Sequence, residues 1–310
     1  MRAARGYRAA LLWVAANAVV WAHADTNPYD ARIRTQETVV ARGNGDGKAW
    51  LTLAILCQDA ARYDESEGAY RKAIALLKNG DREMLAEALD HMGTMYVETG
   101  RFTKAEPLEQ RALSIREELG VKGAIGTSYT HLAALEFGKK DLGLAETDAE
   151  MAVSLLAPAH ADEAHSSSAT PEQQMSALID LSLVRCARGE CTKATPELER
   201  ALAIAHAHYG ANSVPVGFLD FLVGYSHWKS GDSAPAAEAM KRGTEELGTQ
   251  LGWGHPTYIA ALRQYEVFLT QANRSGEAAG VAARIEQIES AHRDAGGRGQ
   301  QAALLLNQLP

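Results

Sequence analysis

The sequence predicts an all-α protein, a right-handed α-solenoid of about six stacked helix-turn-helix repeats. Three observations lead to this prediction. Six segments share a large apolar residue that is followed in five of them by a small one, further small residues recur 12 and 19 positions later, and a turn separates the two groups. Successive copies lie 39 to 49 residues apart, with a period near 42. Because one helix pair cannot bury its apolar face alone, the copies are expected to stack.

The helices of each repeat are placed by aligned columns of residues. In the clearest copy, residues 92–93 hold the large and small pair and Gly100 is the turn. Small side chains let two helices approach closely, and a helix that ends in a left-handed residue favours Gly or Asn. The turn column is Ala61, Gly100, Lys140, Gly189, Gly231 and Asn273. The two columns of small residues are Ser66, Ala105, Ala145, Ala194, Ala236 and Ala278, then Ala73, Ala112, Ala152, Ala201, Gly243 and Ile285.

This pattern resembles the tetratricopeptide repeat, in particular the longer form found in the kinesin light chain and in many bacterial proteins. The resemblance spans about residues 48–291 and is clearest in residues 101–117, with an echo in residues 194–204. The aromatic residue usual in the second helix is present as Tyr70 but is replaced by Glu109, Ala149 and Ala282 in other repeats, where looser packing is expected. The resemblance implies a concave binding surface lined by the first helix of each pair, and it supplies no catalytic residues.

Residues 1–24 are expected to be a cleaved signal peptide. They combine three Arg residues within the first eight positions, a mostly apolar run and the small-x-small sequence Ala22-His23-Ala24. The apolar run, residues 9–20, is shorter than the roughly 20 residues that a membrane-spanning helix needs. We therefore expect an exported bacterial protein, periplasmic or secreted, without an integral membrane segment in its mature form. An uncleaved membrane anchor is the alternative.

The charge of the mature chain restricts its partners. Cleavage after residue 24 removes three Arg and no acidic residue, so the formal net charge changes from −8 to −11. A chain this acidic repels the phosphates of nucleic acid, whose binding depends on Lys and Arg. The expected partner is therefore a protein or peptide, and nucleic acid is not expected.

The remaining sequence divides into three parts. Residues 25–47 are predicted to cap the first repeat, residues 48–294 to form the repeat array, and residues 295–310 to form a flexible tail. A cap is needed because the terminal repeat of a solenoid would otherwise expose its apolar face. An insertion loop at residues 157–170 accounts for the longest spacing between repeats.

Three Cys residues and one His-rich segment are the candidates for thiol or metal chemistry. Cys57 falls in a column that faces the partner helix, which predicts a buried free thiol. Cys186 and Cys191 flank the turn of the fourth repeat, where a disulfide and two free thiols both stay open as interpretations. A redox-active pair would have Cys-x-x-Cys spacing. The segment from His160 to His165 is interpreted as an exposed loop, with adventitious metal binding as the alternative.

The short motifs in the sequence do not support catalysis. Residues 43–48 suggest a phosphate-binding loop, but Arg42 and Ala49 stand where that motif needs Gly and Ser or Thr. A calcium loop fails at Arg42 and at Leu53, where it needs a carboxylate. We therefore expect no enzyme activity, no cofactor and no resident metal ion.

The fifth repeat offers the best candidate for a partner-binding groove. Four aromatic residues fall there at i, i+3, i+7 and i+10, which places them on one stripe of a helix. Rigid aromatic side chains are common anchors of protein interfaces. The alternative is that the stripe packs against the sixth repeat. The stripe is Phe218, Phe221, Tyr225 and Trp228. The other candidate groove residues are Ile179, Leu183 and Arg263, the last of which suits a carboxylate.

The sequence thus predicts a non-catalytic scaffold or assembly adaptor that binds proteins or peptides in the groove of a repeat solenoid. Two alternatives stay open. One is a structural module that associates with itself and forms a homo-oligomer. The other is a thiol or metal protein that uses Cys186, Cys191 or the loop from His160 to His165.

Overall fold

The computed structural model describes residues 29–157 and 169–294 of the 310-residue chain. The predicted signal peptide, most of the insertion loop with His160 and His165, and the tail at residues 295–310 lie outside the described residues. The described part forms thirteen α-helices and no β-strand, which confirms the predicted all-α class. The helices are α1 (Tyr29–Val39), α2 (Gly47–Asp59), α3 (Tyr63–Leu77), α4 (Arg82–Glu98), α5 (Phe102–Leu119), α6 (Lys122–Lys139), α7 (Leu142–Leu156), α8 (Pro171–Ala187), α9 (Cys191–Tyr209), α10 (Val214–Lys229), α11 (Ser233–Leu251), α12 (Pro256–Gln271) and α13 (Ser275–Asp294).

Helices α2 to α13 form six helix-turn-helix pairs in chain order, and each first helix packs against the second helix that follows it. The contacts divide the chain into two compact units, with the boundary between Ala169 and Thr170. Among the described residues, the first unit contains α1 and the first three pairs, and the second unit contains the last three pairs. The predicted solenoid-type repeats are therefore confirmed within each unit. In the described chain, all helices are too short or too polar to cross a bilayer.

The turn residue of every pair adopts the left-handed backbone conformation, with φ between 57° and 90°. Gly adopts this conformation at little cost, whereas a side chain makes it unfavourable. Ala61 and Lys140 nevertheless adopt it, as their place in the column predicts. The conformation lets a backbone N–H return to the end of the first helix, as Arg101 N does to Tyr96 O at 2.7 Å. The predicted turn column is thus confirmed in all six repeats.

Both columns of small residues are buried throughout. Gly224 of α10 illustrates the reason, because a β-carbon at this position would lie 2.5 Å from the backbone nitrogen of Met240 in α11. In the first repeat, the Ser66 hydroxyl donates a hydrogen bond to the Ala54 carbonyl at 2.8 Å, so the two helices are also linked at this point. Close approaches of this kind favour small residues, although the last repeat has Ile285 in the second column.

The N-terminal helix α1 covers the first repeat. Its side chains Tyr29 and Ile33 are buried in the core of the first unit. Gln36 Nε2 donates a hydrogen bond to the Ala49 carbonyl of α2 at 2.8 Å. A π-helical turn, Val40–Asn44, leads from α1 towards α2.

Local sequence fixes the start of the first helices that carry candidate site residues. In α4, the carboxylate of Asp81 accepts a hydrogen bond from Met84 N at 3.0 Å. In α8, Thr170 and Gln173 form a capping box, in which each side chain accepts a hydrogen bond from the backbone N–H of the other residue. These caps satisfy N–H groups that have no partner within the helix.

Candidate functional site

The aromatic stripe of the fifth repeat lies in the core of the second unit. Phe218, Phe221 and Tyr225 are only 4%, 0% and 2% exposed. Residues 216–226 of α10 are all buried, so every face of this part of the helix is covered by other parts of the protein. This corrects the assignment of these three side chains to an exposed groove. Ile179 of α8 is fully buried as well and is corrected for the same reason.

Trp228, at the end of the stripe, is half-buried. Its ring makes edge contacts with Tyr225 and with Phe268 of α12, at centroid distances of 5.6 and 5.7 Å. Phe268 belongs to the sixth repeat and is fully buried. The end of the stripe therefore packs against the sixth repeat, as the alternative interpretation states. Lys229 Nζ lies 4.9 Å from the centroid of the Trp228 ring, beside its remaining accessible surface.

Three apolar side chains on the first helices of the second unit keep part of their surface accessible. Leu183 and Trp228 are half-buried, and Val267 is 44% exposed. Leu183 and Val267 occupy equivalent positions of α8 and α12, and Trp228 lies one turn beyond the equivalent position of α10. We call these three residues the apolar row. Val267 was not predicted to be a groove residue, although it stands in the same column as Leu183.

Arg263, the charged candidate, is exposed on α12. Its guanidinium pairs with the carboxylate of Glu289 on α13. A partner carboxylate would therefore have to compete with Glu289 for this side chain, and because the pair is exposed that competition costs little.

The structure provides no reactive thiolate among the three cysteines, since two form a disulfide and the third is buried. Cys186 and Cys191 form a disulfide with an S–S distance of 2.08 Å, which joins the end of α8 to the start of α9. Cys57 is free and only 2% exposed. Burial raises the pKa of the Cys57 thiol to about 11. At neutral pH this thiol is protonated, whereas reactive cysteines are thiolates.

A group of buried charged residues lies between α4, α5 and α6 of the first unit. The two terminal nitrogens of Arg116 donate to the two carboxylate oxygens of Asp90 at 3.0 and 3.1 Å. Arg116 Nη1 also donates to Ser128 Oγ at 2.6 Å. His131 Nδ1 lies 2.8 Å from Asp90 Oδ1 and 4.0 Å from Glu109 Oε2. We call these residues the Asp90 cluster: Asp90, Glu109, Arg116, Ser128 and His131.

Glu109 is the unusual member of the Asp90 cluster. It is fully buried, and neither of its carboxylate oxygens has a hydrogen-bond partner. Its side chain lies against Gly93, where a β-carbon would come within 2.7 Å of Glu109 Cδ. Burial, followed by the negative charge of Asp90, raises the pKa of Glu109 well above its ordinary value.

The pKa values of the two carboxyl groups of the cluster are shifted in opposite directions. Burial alone would raise the pKa of Asp90, but His131 and Arg116 outweigh it and hold that pKa below its ordinary value. The surroundings of Asp90 therefore favour its ionised form, whereas those of Glu109 favour its protonated form.

The comparisons with known proteins agree with this geometry. Residues 46–118 match the family model described as tetratricopeptide repeat. The crystal structure of BtubC (BKLC) from P. vanneervenii is similar, with a TM-score of 0.57 and 20% identity, over 73% of this chain and 94% of that chain. The chain folds as a tetratricopeptide-repeat protein.

Two other solved structures have a similar fold. A putative kinesin light chain from Podosopora anserina, with nearly identical TPR-like repeats, is 15% identical over 65% of this chain and 95% of that chain, with a TM-score of 0.52. A Rap protein complexed with Competence and Sporulation Factor is 14% identical over 84% of this chain and 80% of that chain, with a TM-score of 0.55. No curated protein sequence matches the chain.

The tetratricopeptide register explains how the Asp90 cluster comes together. Glu109 stands in the column that holds Tyr70 in the first repeat, and the Tyr70 hydroxyl donates to Gln58 Oε1 at 2.6 Å. The polar end of this column therefore points at the first helices, from which Asp90 and His131 come. From the sequence alone, Glu109 was predicted only to be a departure from the family pattern. The combination of Glu109 in a core column and Asp90 on the inward side of the first helix of the same repeat would have indicated a buried cluster of charges.

Proposed function

We propose that this tetratricopeptide-repeat protein is a non-catalytic scaffold that binds a protein or peptide through the first helices of its repeats. The fold supports this function, because stacked helix pairs present the side chains of successive first helices to a partner. A Rap protein with a similar fold forms a complex with Competence and Sporulation Factor. The surface that we propose for the partner is the apolar row of the second unit.

The apolar row is the observation that carries the proposal. Leu183, Trp228 and Val267 come from three different repeats, and each keeps accessible apolar surface on a first helix. Clustered apolar surface is unfavourable in water and is a common mark of an interaction site. Trp228 is held by its contacts with neighbouring rings, and a rigid aromatic side chain of this kind is a typical interface anchor. We propose that the partner inserts an apolar segment at this row.

Crosslinking capture from bacterial envelope extract tests this proposal, with residues 25–310 as bait. Val267→Glu places a charge in the row, and Leu144→Glu is its matched control, since the two side chains are 44% and 51% exposed. Leu144 lies on a second helix, α7, away from the row in sequence and element. We expect Val267→Glu to lose the captured partner and Leu144→Glu to keep it.

Two other results of the capture experiment would contradict the proposed surface. If Val267→Glu and Leu144→Glu both keep the partner, the row is not where it binds. If the bait captures only itself and Val267→Glu prevents this, the row mediates self-association instead. Circular dichroism of both variants checks that each remains folded.

We also propose that the chain is exported from a bacterial cytoplasm. The signal-like sequence of residues 1–24 supports export. The disulfide between Cys186 and Cys191 supports it as well, because disulfides persist in oxidising compartments. The intact mass of the protein from cell fractions tests this proposal. We expect a chain that begins at Asp25 in the envelope or the medium, and a chain in the cytoplasm that begins at Met1 would contradict it.

A further inference from the structure

The fully buried Glu109 carboxyl accepts no hydrogen bond from a positively charged side chain, and the nearby His131 Nδ1, 4.0 Å from Glu109 Oε2, lies closer to Asp90. Both of its oxygens lack a hydrogen bond, although the residue is 0% exposed. Burying an ionised carboxylate without a partner is strongly unfavourable, so the group must hold either a proton or a cation. Arg116 does not fill this role, because both of its terminal nitrogens bind Asp90.

The surroundings of Glu109 contain suitable donors for a metal ion. Asp90, Glu109 and His131 each offer one ligand atom, and these three atoms all lie within 4.8 Å of one another. The set contains one imidazole nitrogen and two carboxylate oxygens. Zn²⁺ and similar divalent transition metals bind this combination, whereas Ca²⁺ and Mg²⁺ prefer oxygen alone.

One of these three residues is partly exposed to solvent, and another is held in place by hydrogen bonds. The His131 side chain is 22% exposed, whereas those of Asp90 and Glu109 are 3% and 0% exposed, so His131 is the member of the set that solvent reaches. Arg116 and Ser128 hold the Asp90 carboxylate in place through hydrogen bonds. Groups that orient a ligand in this way are typical of the surroundings of metal ligands.

We propose that Asp90, Glu109 and His131 bind a divalent transition-metal ion of the Zn²⁺ class. The ion takes the place of the proton on Glu109 and of the direct contact between His131 and Asp90. Three protein ligands leave a fourth position for water or for a donor atom of another molecule. The positive charge of Arg116 opposes the ion, so the affinity is lower than that of a closed structural zinc site.

Titration calorimetry with Zn²⁺ and visible absorption with Co²⁺ test the site in the tag-free chain of residues 25–310. We expect one ion per chain in the parent protein. Glu109→Gln keeps the shape of the side chain but removes its charge, and His131→Gln removes the nitrogen ligand. Each is expected to weaken Zn²⁺ binding by at least about tenfold and to abolish the Co²⁺ absorption band.

Two matched controls separate this site from other metal binding. Glu87→Gln removes an exposed carboxylate from α4, the helix that carries Asp90. The double variant His160→Gln, His165→Gln removes the other His-rich segment of the chain. Both controls are expected to bind Zn²⁺ like the parent protein.

Several outcomes would overturn the metal site. These are a parent protein without saturable Zn²⁺ binding, a Glu109→Gln variant that binds as tightly as the parent, and loss of binding in the variant of His160 and His165. Because an ion that binds only the folded state stabilises it, Zn²⁺ should also raise the melting temperature of the parent but not of Glu109→Gln. If Glu109→Gln does not fold, the partly exposed His131→Gln carries the same test.

Discussion

Gly243 of α11 faces Gly217 of α10 at a distance that excludes a side chain. A β-carbon at residue 243 would lie 2.5 Å from the Gly217 carbonyl oxygen and 2.9 Å from the α-carbon of Phe221. Both obstacles are backbone atoms, which cannot rotate away as a side chain can. The approach packs the face of α10 that contains Gly217 and Phe221 closely against α11, while the end of the stripe at Trp228 packs against Phe268 of α12.

We predict that Gly243→Ala lowers the free energy of unfolding by about 1–3 kcal/mol, because the helices must separate to admit a methyl group. Gly280→Ala in α13 is the matched control, since a β-carbon there meets no atom within 4 Å. Ala favours a helix more than Gly does, so Gly280→Ala is expected to raise the free energy of unfolding by about 0.5–1 kcal/mol. Urea unfolding monitored by circular dichroism measures both. Equal effects of the two changes would contradict the close approach.

The same contact shows what the sequence could and could not establish. Periodicity correctly placed Phe218, Phe221 and Tyr225 on one stripe of a helix, but periodicity does not say which neighbour covers that stripe. The cover comes from tertiary packing, against α11 at Phe221, where Gly243 permits a close approach, and against Phe268 of α12 at Trp228. Columns of small residues signal this kind of approach. Gly243 belongs to the fifth repeat, so it indicates close packing at Phe221 but not the packing against the sixth repeat that the alternative interpretation states.

The Asp90 cluster was harder to predict, because its members come from three helices. Glu109 departs from the aromatic column in a visible way, and His131 and Asp90 lie near the small-residue column of their own repeats. Their mutual distances depend on how the second and third repeats stack. The geometry of that stacking cannot be derived from a single sequence. Local features such as the turn column depend only on neighbouring residues and were therefore predictable.

The turn column predicts opposite effects on stability when Ala is replaced by Gly and when Gly is replaced by Ala. Ala61 adopts a φ of 58°, which is unfavourable for a residue with a β-carbon. Ala61→Gly is therefore expected to raise the free energy of unfolding by about 0.5–1 kcal/mol, after the entropy that Gly adds to the unfolded chain is subtracted.

The reverse change, Gly100→Ala, is the matched comparison for Ala61→Gly. Gly100 has a φ of 71° and a β-carbon there meets no atom within 4 Å, so this variant tests backbone conformation without a clash. We expect a loss of about 1 kcal/mol. Both variants are measured by urea unfolding. Changes of the same sign would show that backbone conformation does not control stability at these turns.

The disulfide between Cys186 and Cys191 is expected to stabilise the second unit. It closes a short loop, with a sequence separation of 5, so the effect on the entropy of the unfolded chain is modest. The double variant Cys186→Ala, Cys191→Ala should lose about 2 kcal/mol of the free energy of unfolding. The parent protein in reductant should lose a similar amount, while reductant should leave the double variant unchanged. A parent protein that is insensitive to reductant, with both thiols titratable, would contradict the bond.

Asp180 of α8 gives a prediction that depends on pH. The residue is 9% exposed, and its Oδ2 atom has no hydrogen-bond partner. Burial raises its pKa to about 8 in the folded protein, whereas an unfolded Asp has a pKa of about 3.9. Below about pH 4 the carboxyl is protonated in both states, and Asp180 causes no loss of stability.

Between about pH 4 and pH 8 the unfolded chain releases the Asp180 proton while the folded chain keeps it, so the parent protein loses stability as the pH rises. Asp180→Asn has no proton to release and should lack this loss. Its advantage over the parent is expected to grow by about 1–3 kcal/mol from pH 5 to pH 8, which is below the full value of the pKa difference. Urea unfolding of both proteins at the two pH values measures it. Because the other titrating groups are common to both proteins, they cancel in the difference, and identical pH profiles would show that Asp180 is ionised at neutral pH in the fold.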